Sequence, residues 1–209
     1  FSEHSIGTSS AILTTSASNA KFAANDYKPF DGMRVGMIKD ANRKDAFDDY
    51  ASEKGFSYTP VYYSDLEDMQ EALAAGNEID AMLSDELREL SDEVIIDKFD
   101  QQDIYVMVKK GNKELLNTID DAIVKLNAAD PGWELDLQRK YFLSDYSTSL
   151  SMTLTEKRYV EGLTSSSKKL KVLFNPVRYP LAYYENGKAR GVLVDIFKGI
   201  AADYDLPYE

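Results

Sequence analysis

Cysteine is absent from the 209 residues, which excludes disulfides, thiolate metal sites and a cysteine nucleophile together. That absence fits an extracytoplasmic protein as readily as a cytosolic one. Histidine occurs once, at His4, so a histidine-rich metal site and a Ser-His-Asp triad are both hard to build; His4 reads as a solvated or capping residue. Basic residues are short of acidic ones, 24 against 36, giving a net charge of -12. Such a field repels phosphate backbones and anionic lipid, and no nucleic-acid partner is expected. No window approaches the roughly 20 apolar residues of a membrane span, and "FSEHSIGTSS" lacks the basic and then apolar regions of a leader. A membrane is expected only through segments outside this stretch. There is no Gly-rich phosphate loop. Asp45, Asp48 and Asp49 lie on a predicted helix without the spacing of a calcium loop and read as a solvated face. No catalytic residue, metal or cofactor is assigned, and the stretch is read as non-catalytic.

What is present is a core and a regular alternation. Hydrophobic residues make up 44% of the chain, enough for one large or two small domains. "SSAILTTSA" reads as a strand. "MRVGMIK" (33–39) follows as a buried strand, and "NRKDAFDDYASEKG" (42–55) as a helix stopped by Gly55. "SYTPVYY" (57–63) is a strand, and Ser64 with Glu67 forms a capping box for a helix ended by Gly76. "IDAMLSD" is the next strand, "ELREL" a short helical turn and "EVIIDKF" another strand. This β-α-β-α-β order predicts a parallel-rich sheet flanked by helices.

A different texture follows. "DIYVMVKKG" (103–111) reads as a strand, and Leu115, Leu116, Ile119, Ala122, Ile123 and Leu126 mark one face of a helix. "PGWELDLQRKYF" adds a second helix. A Ser-rich break, a short helix over "TLTEKRYVEGL" and the linker "TSSSKK" separate this from "LKVLF", a new strand. Then come a turn-rich loop around Asn186-Gly187 and an amphipathic helix over "VLVDIFKGIAADYDL".

In this order the pieces resemble a family. "FSEHSIG", "FDGMRVGM", "EALAAGNEIDAMLSD" and "DIYVMVKKGNKELLNTIDDAIVKL" resemble the end of the first lobe, the second lobe and the return helices of bacterial solute-binding proteins of family 3, the amino-acid-binding type of periplasmic binding protein. "KLKVLFNPVRYPLAYYENGKARGVLVDIFKGIA" resembles the opening of a second copy. The resemblance implies an α/β, periplasmic-binding-protein-like lobe plus a partial second lobe. It divides the chain into the end of the first lobe and a connecting strand (1–30), the second lobe (31–102), the return strand and C-terminal helices (103–142), a linker (143–168) and the start of a second module (169–209). The tail is expected to bury Val172, Leu173, Val192, Ile196 and Ile200, within one chain or by self-association of two copies.

The same resemblance implies the candidate site. An acid at the carboxyl end of a parallel strand faces a cleft, and the family position matching Asp85 holds the ligand's α-ammonium group. Asp85 also reads as the cap of "ELREL", and both readings stand. Asp80 reads as structural. Where the family has a Gly-Ser/Thr-Thr phrase for a carboxylate, this chain has Asp40, Ala41 and Asn42. Ala41 and Asn42 would retain only their backbone amides. Tyr183 and Tyr184 are the candidate pocket aromatics of the second module. The expected ligand is a small-molecule solute of amino-acid type.

Tandem modules resemble the extracytoplasmic sensor regions of bacterial histidine kinases and diguanylate cyclases, which implies a signal-transduction protein on the outer face of the cell membrane. The alternative is the substrate-binding protein of an amino-acid ABC transporter.

Overall fold

The computed structural model describes residues 1–19, 21–23, 26–88, 90, 92–142, 152–166 and 169–209, in two units, Phe1–Leu154 and Thr155–Glu209. The first is built on a five-stranded sheet of order β3-β2-β4-β1-β5. Its strands are β1 (Thr8–Ser16), β2 (Met33–Ile38), β3 (Tyr58–Tyr63), β4 (Ala81–Asp85) and β5 (Glu93–Asp103). β2 runs parallel to both β3 and β4, as the βαβ pattern predicts, whereas β1 is antiparallel to β4 and to β5. The sheet is therefore mixed, with its parallel part confined to the three strands that the helices connect.

Helices α1 (Lys44–Lys54) and α2 (Leu66–Ala75) end at Gly55 and Gly76, both left-handed with φ of 77° and 68°, the conformation glycine adopts without penalty. Asp65 rather than Ser64 caps α2, its carboxylate accepting the Asp68 amide. Phe22, Phe30, Phe47, Tyr50 and Phe56 are buried in one aromatic cluster with Val35 and Ile96. Met69, Leu73, Ile79 and Met82 form a second, aliphatic cluster. β2 can lie against the aliphatic cluster because Gly36 presents no side chain to Ile79 and Met69.

Two expectations along this unit change. Residues 86–88 and 90 form no helix, because Glu86 and Arg88 turn their side chains to internal partners, so Asp85 caps nothing and ends β4 instead. The antiparallel partner of β1 begins ten residues earlier than "DIYVMVKKG": β5 pairs Thr8 to Ser16 with Asp103 to Glu93. Beyond it the two segments stay joined by Ile104 N to Gly7 O and Ser2 N to Val106 O, both 2.8 Å. The polar tract Asp100–Asp103 stays within β5 because β1 pairs with Phe99 on one side of a register shift and with Gln102 and Asp103 on the other, overriding composition. Residues 104–109, expected as a strand, belong to no strand, and β1 takes its antiparallel partner from residues 93–103 instead. α3 (Lys113–Ala129) and α4 (Trp133–Phe142) follow. Only Ile123 of the predicted α3 stripe is buried, with Leu115 and Leu126 exposed.

Of the expected linker 143–168, residues 143–151, 167 and 168 lie outside the described residues; within it α5 (Leu154–Thr164) covers the predicted short helix. The second unit carries β6 (Val177–Arg178), β7 (Ala182–Glu185) and β8 (Lys188–Arg190) as an antiparallel sheet, then α6 (Val192–Asp203). The predicted loop is thus a hairpin, turned at Asn186 and Gly187 with φ of 52° and 75°, the pair of positive values a tight hairpin requires. "LKVLF" contributes little ladder: Leu170 and Val172 bond to Pro207 and Glu209. α6 buries Val194 and Ala201, while Leu173, Val192, Ile196 and Ile200 are exposed, so the expected burial does not occur within one chain, because the hairpin covers only one side of the helix.

Candidate functional site

The carboxyl ends of β2, β3 and β4 meet at a cavity of about 510 Å³. β2 contributes Met37 and Ile38, β3 Tyr62 and β4 Leu83; the turn Lys39–Ala41, together with the N-cap and first residue of α1, Arg43 and Lys44, completes the wall. Placement follows from topology, since α1 must leave β2 at its carboxyl end, and a crevice opens where neighbouring crossovers diverge. The turn is tight: Ala41 donates its amide to Ile38, and Asp40 takes φ of 62°, which a short polar side chain tolerates.

Arg43 governs the electrostatics. It is 6% exposed, its Nε donates to Asp85 Oδ1 at 2.9 Å, and its Nη1 donates to the carbonyl and Oδ2 of Asp100, both at 2.8 Å. Nη2 donates to the Ser9 carbonyl at 3.1 Å and lies 2.8 Å from Asp85 Oδ1. Burial works against its charge, but the Asp100 and Asp85 bonds more than offset it and hold the guanidinium above its ordinary value. Lys44 is also paired, with Asp48 at 2.5 Å, and Lys44 and then Tyr58 draw that carboxyl below its usual range.

Ser84 and Glu86, on either side of Asp85, have internal partners. Ser84 accepts from Arg88 Nε at 2.8 Å. Glu86 accepts the Ser10 amide at 2.9 Å and sits 3.3 Å from Lys98 Nζ. At the strand's other end Asp80 accepts from the Arg34 amide at 2.9 Å and from its Nε at 3.1 Å, the structural role expected of it.

No family model matches the chain, and no curated protein does. Solved structures do. The probable amino-acid ABC transporter extracellular-binding protein ytmK of Bacillus subtilis superposes with a TM-score of 0.56 at 18% identity, covering 70% of this chain and 65% of that one. The ancestral amino-acid-binding protein AncCDT-1, a precursor of cyclohexadienyl dehydratase, gives 0.52 at 17%, covering 68% and 61%. Substrate-binding domain 2 of Lactococcus lactis GlnP, in its open conformation, gives 0.50 at 21%, covering 68% and 62%. The chain has the fold of a type II periplasmic binding protein lobe. It spans less than two thirds of each of these structures.

Within the periplasmic-binding-protein lobe, the sequence-derived site residues divide. Ala41 lines the cavity, Asn42 is its exposed neighbour, and Asp85 lies at the same end of the sheet, its side chain 54% exposed and bound to Arg43. Tyr183 and Tyr184 are on β7 of the second unit; the Tyr183 ring packs 5.0 Å from that of Tyr179, and Tyr184 is exposed. Tyr62, Arg43 and Asp100 were not singled out from sequence. One signal pointed to Arg43: it is the N-cap residue of α1, where the helix dipole disfavours a cation, so its presence demands nearby carboxylates. Among the described residues of this periplasmic-binding-protein fold no group of three carboxylates or imidazoles could hold a metal, and no helix is long and apolar enough to cross a membrane.

Proposed function

We propose that the first unit is part of an extracytoplasmic solute-binding module and that the cavity at the ends of β2, β3 and β4 is its half of the solute site. One observation carries this: an apolar recess of about 510 Å³, the size of a small-solute pocket, lies at the switch point of a sheet with the periplasmic-binding-protein fold. The second unit, a strand, hairpin and helix, is read as the start of a second module. The module serves either as the sensor of a membrane-bound histidine kinase or diguanylate cyclase, or as the receptor of an amino-acid ABC transporter. Repetition does not separate these: the Lactococcus lactis GlnP domain is by its name a second substrate-binding domain.

The test is isothermal titration of the full-length protein with a panel of amino acids and their desamino acids, repeated with Ala41→Trp. Ala41 is exposed at the cavity wall, so an indole there fills the recess without disturbing the core. A solute that binds the parent and loses about tenfold or more in affinity with Ala41→Trp, a step of RT ln 10, supports the reading; a panel with no binder, or one indifferent to Ala41→Trp, removes it. Sensor and receptor then separate by whether the bound solute changes phosphoryl or cyclase output, or its uptake.

A further inference from the structure

The sheet face that α1 covers ends in a row of three side chains. Strand alternation turns Met33, Val35 and Met37 of β2, and Ala81 and Leu83 of β4, into the aromatic core. Tyr58 of β3 packs against the same core, its ring 4.7 Å from that of Phe47 on α1. Tyr62, four residues on, faces the same way. It pairs with Met37 across β3 and β2, and both border the cavity with Leu83. At this last row the cavity stands where residues of α1 stand over Tyr58. Met37 and Leu83 are still buried, whereas Tyr62 is 51% exposed.

Tyr62 also differs from the other tyrosines of its strand. The Tyr58 hydroxyl donates to Asp48 at 2.5 Å and the Tyr63 hydroxyl to Glu78 at 3.2 Å, so both are committed to the fold. Among the described residues no group hydrogen-bonds to the Tyr62 hydroxyl, no ring packs on its ring and no cation lies over it. A ring left without a partner at the mouth of an apolar recess offers the surface that gains most from a second ring.

We infer that Tyr62 is the specificity-determining residue for the solute's side chain: its ring is the wall of the recess against which an aromatic side chain packs, above a floor of Met37 and Leu83. The solute class is an amino acid with an aromatic side chain. The inference rests on the solute-binding reading above, and where the solute's charged groups are held plays no part in it. Aliphatic side chains would bury equally well against Met37, Ile38 and Leu83, so the selection comes from the contact of ring with ring.

The experiment titrates phenylalanine, 3-cyclohexylalanine, leucine and lysine into the full-length protein, and into its Tyr62→Phe and Tyr62→Leu variants. Phenylalanine and cyclohexylalanine differ only in the saturation of the ring. The saturated ring is the more apolar, so burial alone favours it, and a preference for phenylalanine reports an aromatic partner. The wild type is expected to bind phenylalanine tightest and Tyr62→Phe to keep that preference. Tyr62→Leu is expected to shift the ratio of phenylalanine to cyclohexylalanine affinity about threefold to tenfold toward the saturated ring, the range of one aromatic pair. A merely structural role for Tyr62 would weaken both compounds together and leave the ratio unchanged. Tyr62 lies half-exposed on the edge strand β3; where Tyr62→Leu does not fold, the wild-type preference decides. A wild type that prefers cyclohexylalanine, or a ratio that Tyr62→Leu does not move, overturns the inference. So does tightest binding of lysine, which would make the ring a seat for a cation. In each of these cases a loss of affinity with Ala41→Trp leaves the solute-binding reading standing. Binding of none of the four compounds overturns the inference, and the wider panel with Ala41→Trp then decides the solute-binding reading by itself.

Discussion

Arg88 Nη2 lies 2.5 Å from Glu93 Oε2, and the two side chains are 10% and 3% exposed. Glu93 also accepts from the Thr14 hydroxyl at 2.7 Å and from Gln70 at 3.2 Å, so one buried carboxylate joins β1, α2 and the loop after β4 to β5. Glu93→Ala is expected to lower the unfolding free energy by about 3–5 kcal/mol, because it removes a carboxylate from a buried guanidinium rather than exchanging a pair for apolar groups. Urea denaturation checks this, and a loss under about 1 kcal/mol would class the pair with surface bridges.

Gly36 is the second point where one atom decides packing. A Cβ there would lie 2.7 Å from Ile79 Cδ1 and 3.0 Å from Met69 Cγ. Gly36→Ala is expected to cost about 1–3 kcal/mol through overpacking. Ile79→Val deletes the Cδ1 methyl and should recover part of that loss in the double variant; strict additivity in the cycle would show that the clash is not with Ile79.

The βαβ frame was legible because its signals are local: Gly55 and Gly76 close helices where the sequence places them, and the apolar runs at Met33–Ile38 and Ala81–Leu83 are buried strands. The position of the cavity followed from the parallel strands. What was not legible depends on partners distant in sequence. "ELREL" has helical composition, yet Glu86 is drawn across the sheet to Ser10, and Arg88 to Glu93 just beyond the segment. The Arg43 site needs Ser9, Asp85 and Asp100 together, three segments joined only by the sheet. Residues 100–102, polar and read as a break between two strands, are instead carried through within β5, whose pairing with β1 resumes at Gln102 and Asp103 after a register shift.

Asp80 links stability to pH. Its bond to Arg34 lowers its carboxyl below the usual value, with desolvation opposing. A carboxyl depressed in the folded state contributes stability that is fully present above its unfolded pKa, about 3.9, and is lost as pH falls through the lower folded value. Stability of the parent should therefore decline below about pH 4, and Asp80→Asn, which cannot titrate, should show a shallower decline. Urea midpoints from pH 6 to about pH 2.5 measure both slopes; equal slopes would assign the acid sensitivity to other carboxylates.

The second unit turns from hairpin into helix at Gly191, where two constraints coincide. Its φ is 115°, and a Cβ would stand 2.6 Å from the carbonyl oxygens of both Pro180 and Leu181. Those carbonyls accept the amides of Val192 and Leu193 at 3.3 and 3.0 Å, so they cannot withdraw without uncapping α6. Backbone, unlike the tip of a flexible side chain, has little room to yield. Gly191→Ala combines an unfavourable φ with a collision and is expected to destabilise this unit by roughly 2 kcal/mol or more. Hydrogen exchange reads it locally: the Val192 and Leu193 amides should lose protection while those of β2 and β4 in the first unit keep theirs. Unchanged exchange at Val192 and Leu193 would mean that the close approach of hairpin and helix at Gly191 is not what holds the helix start.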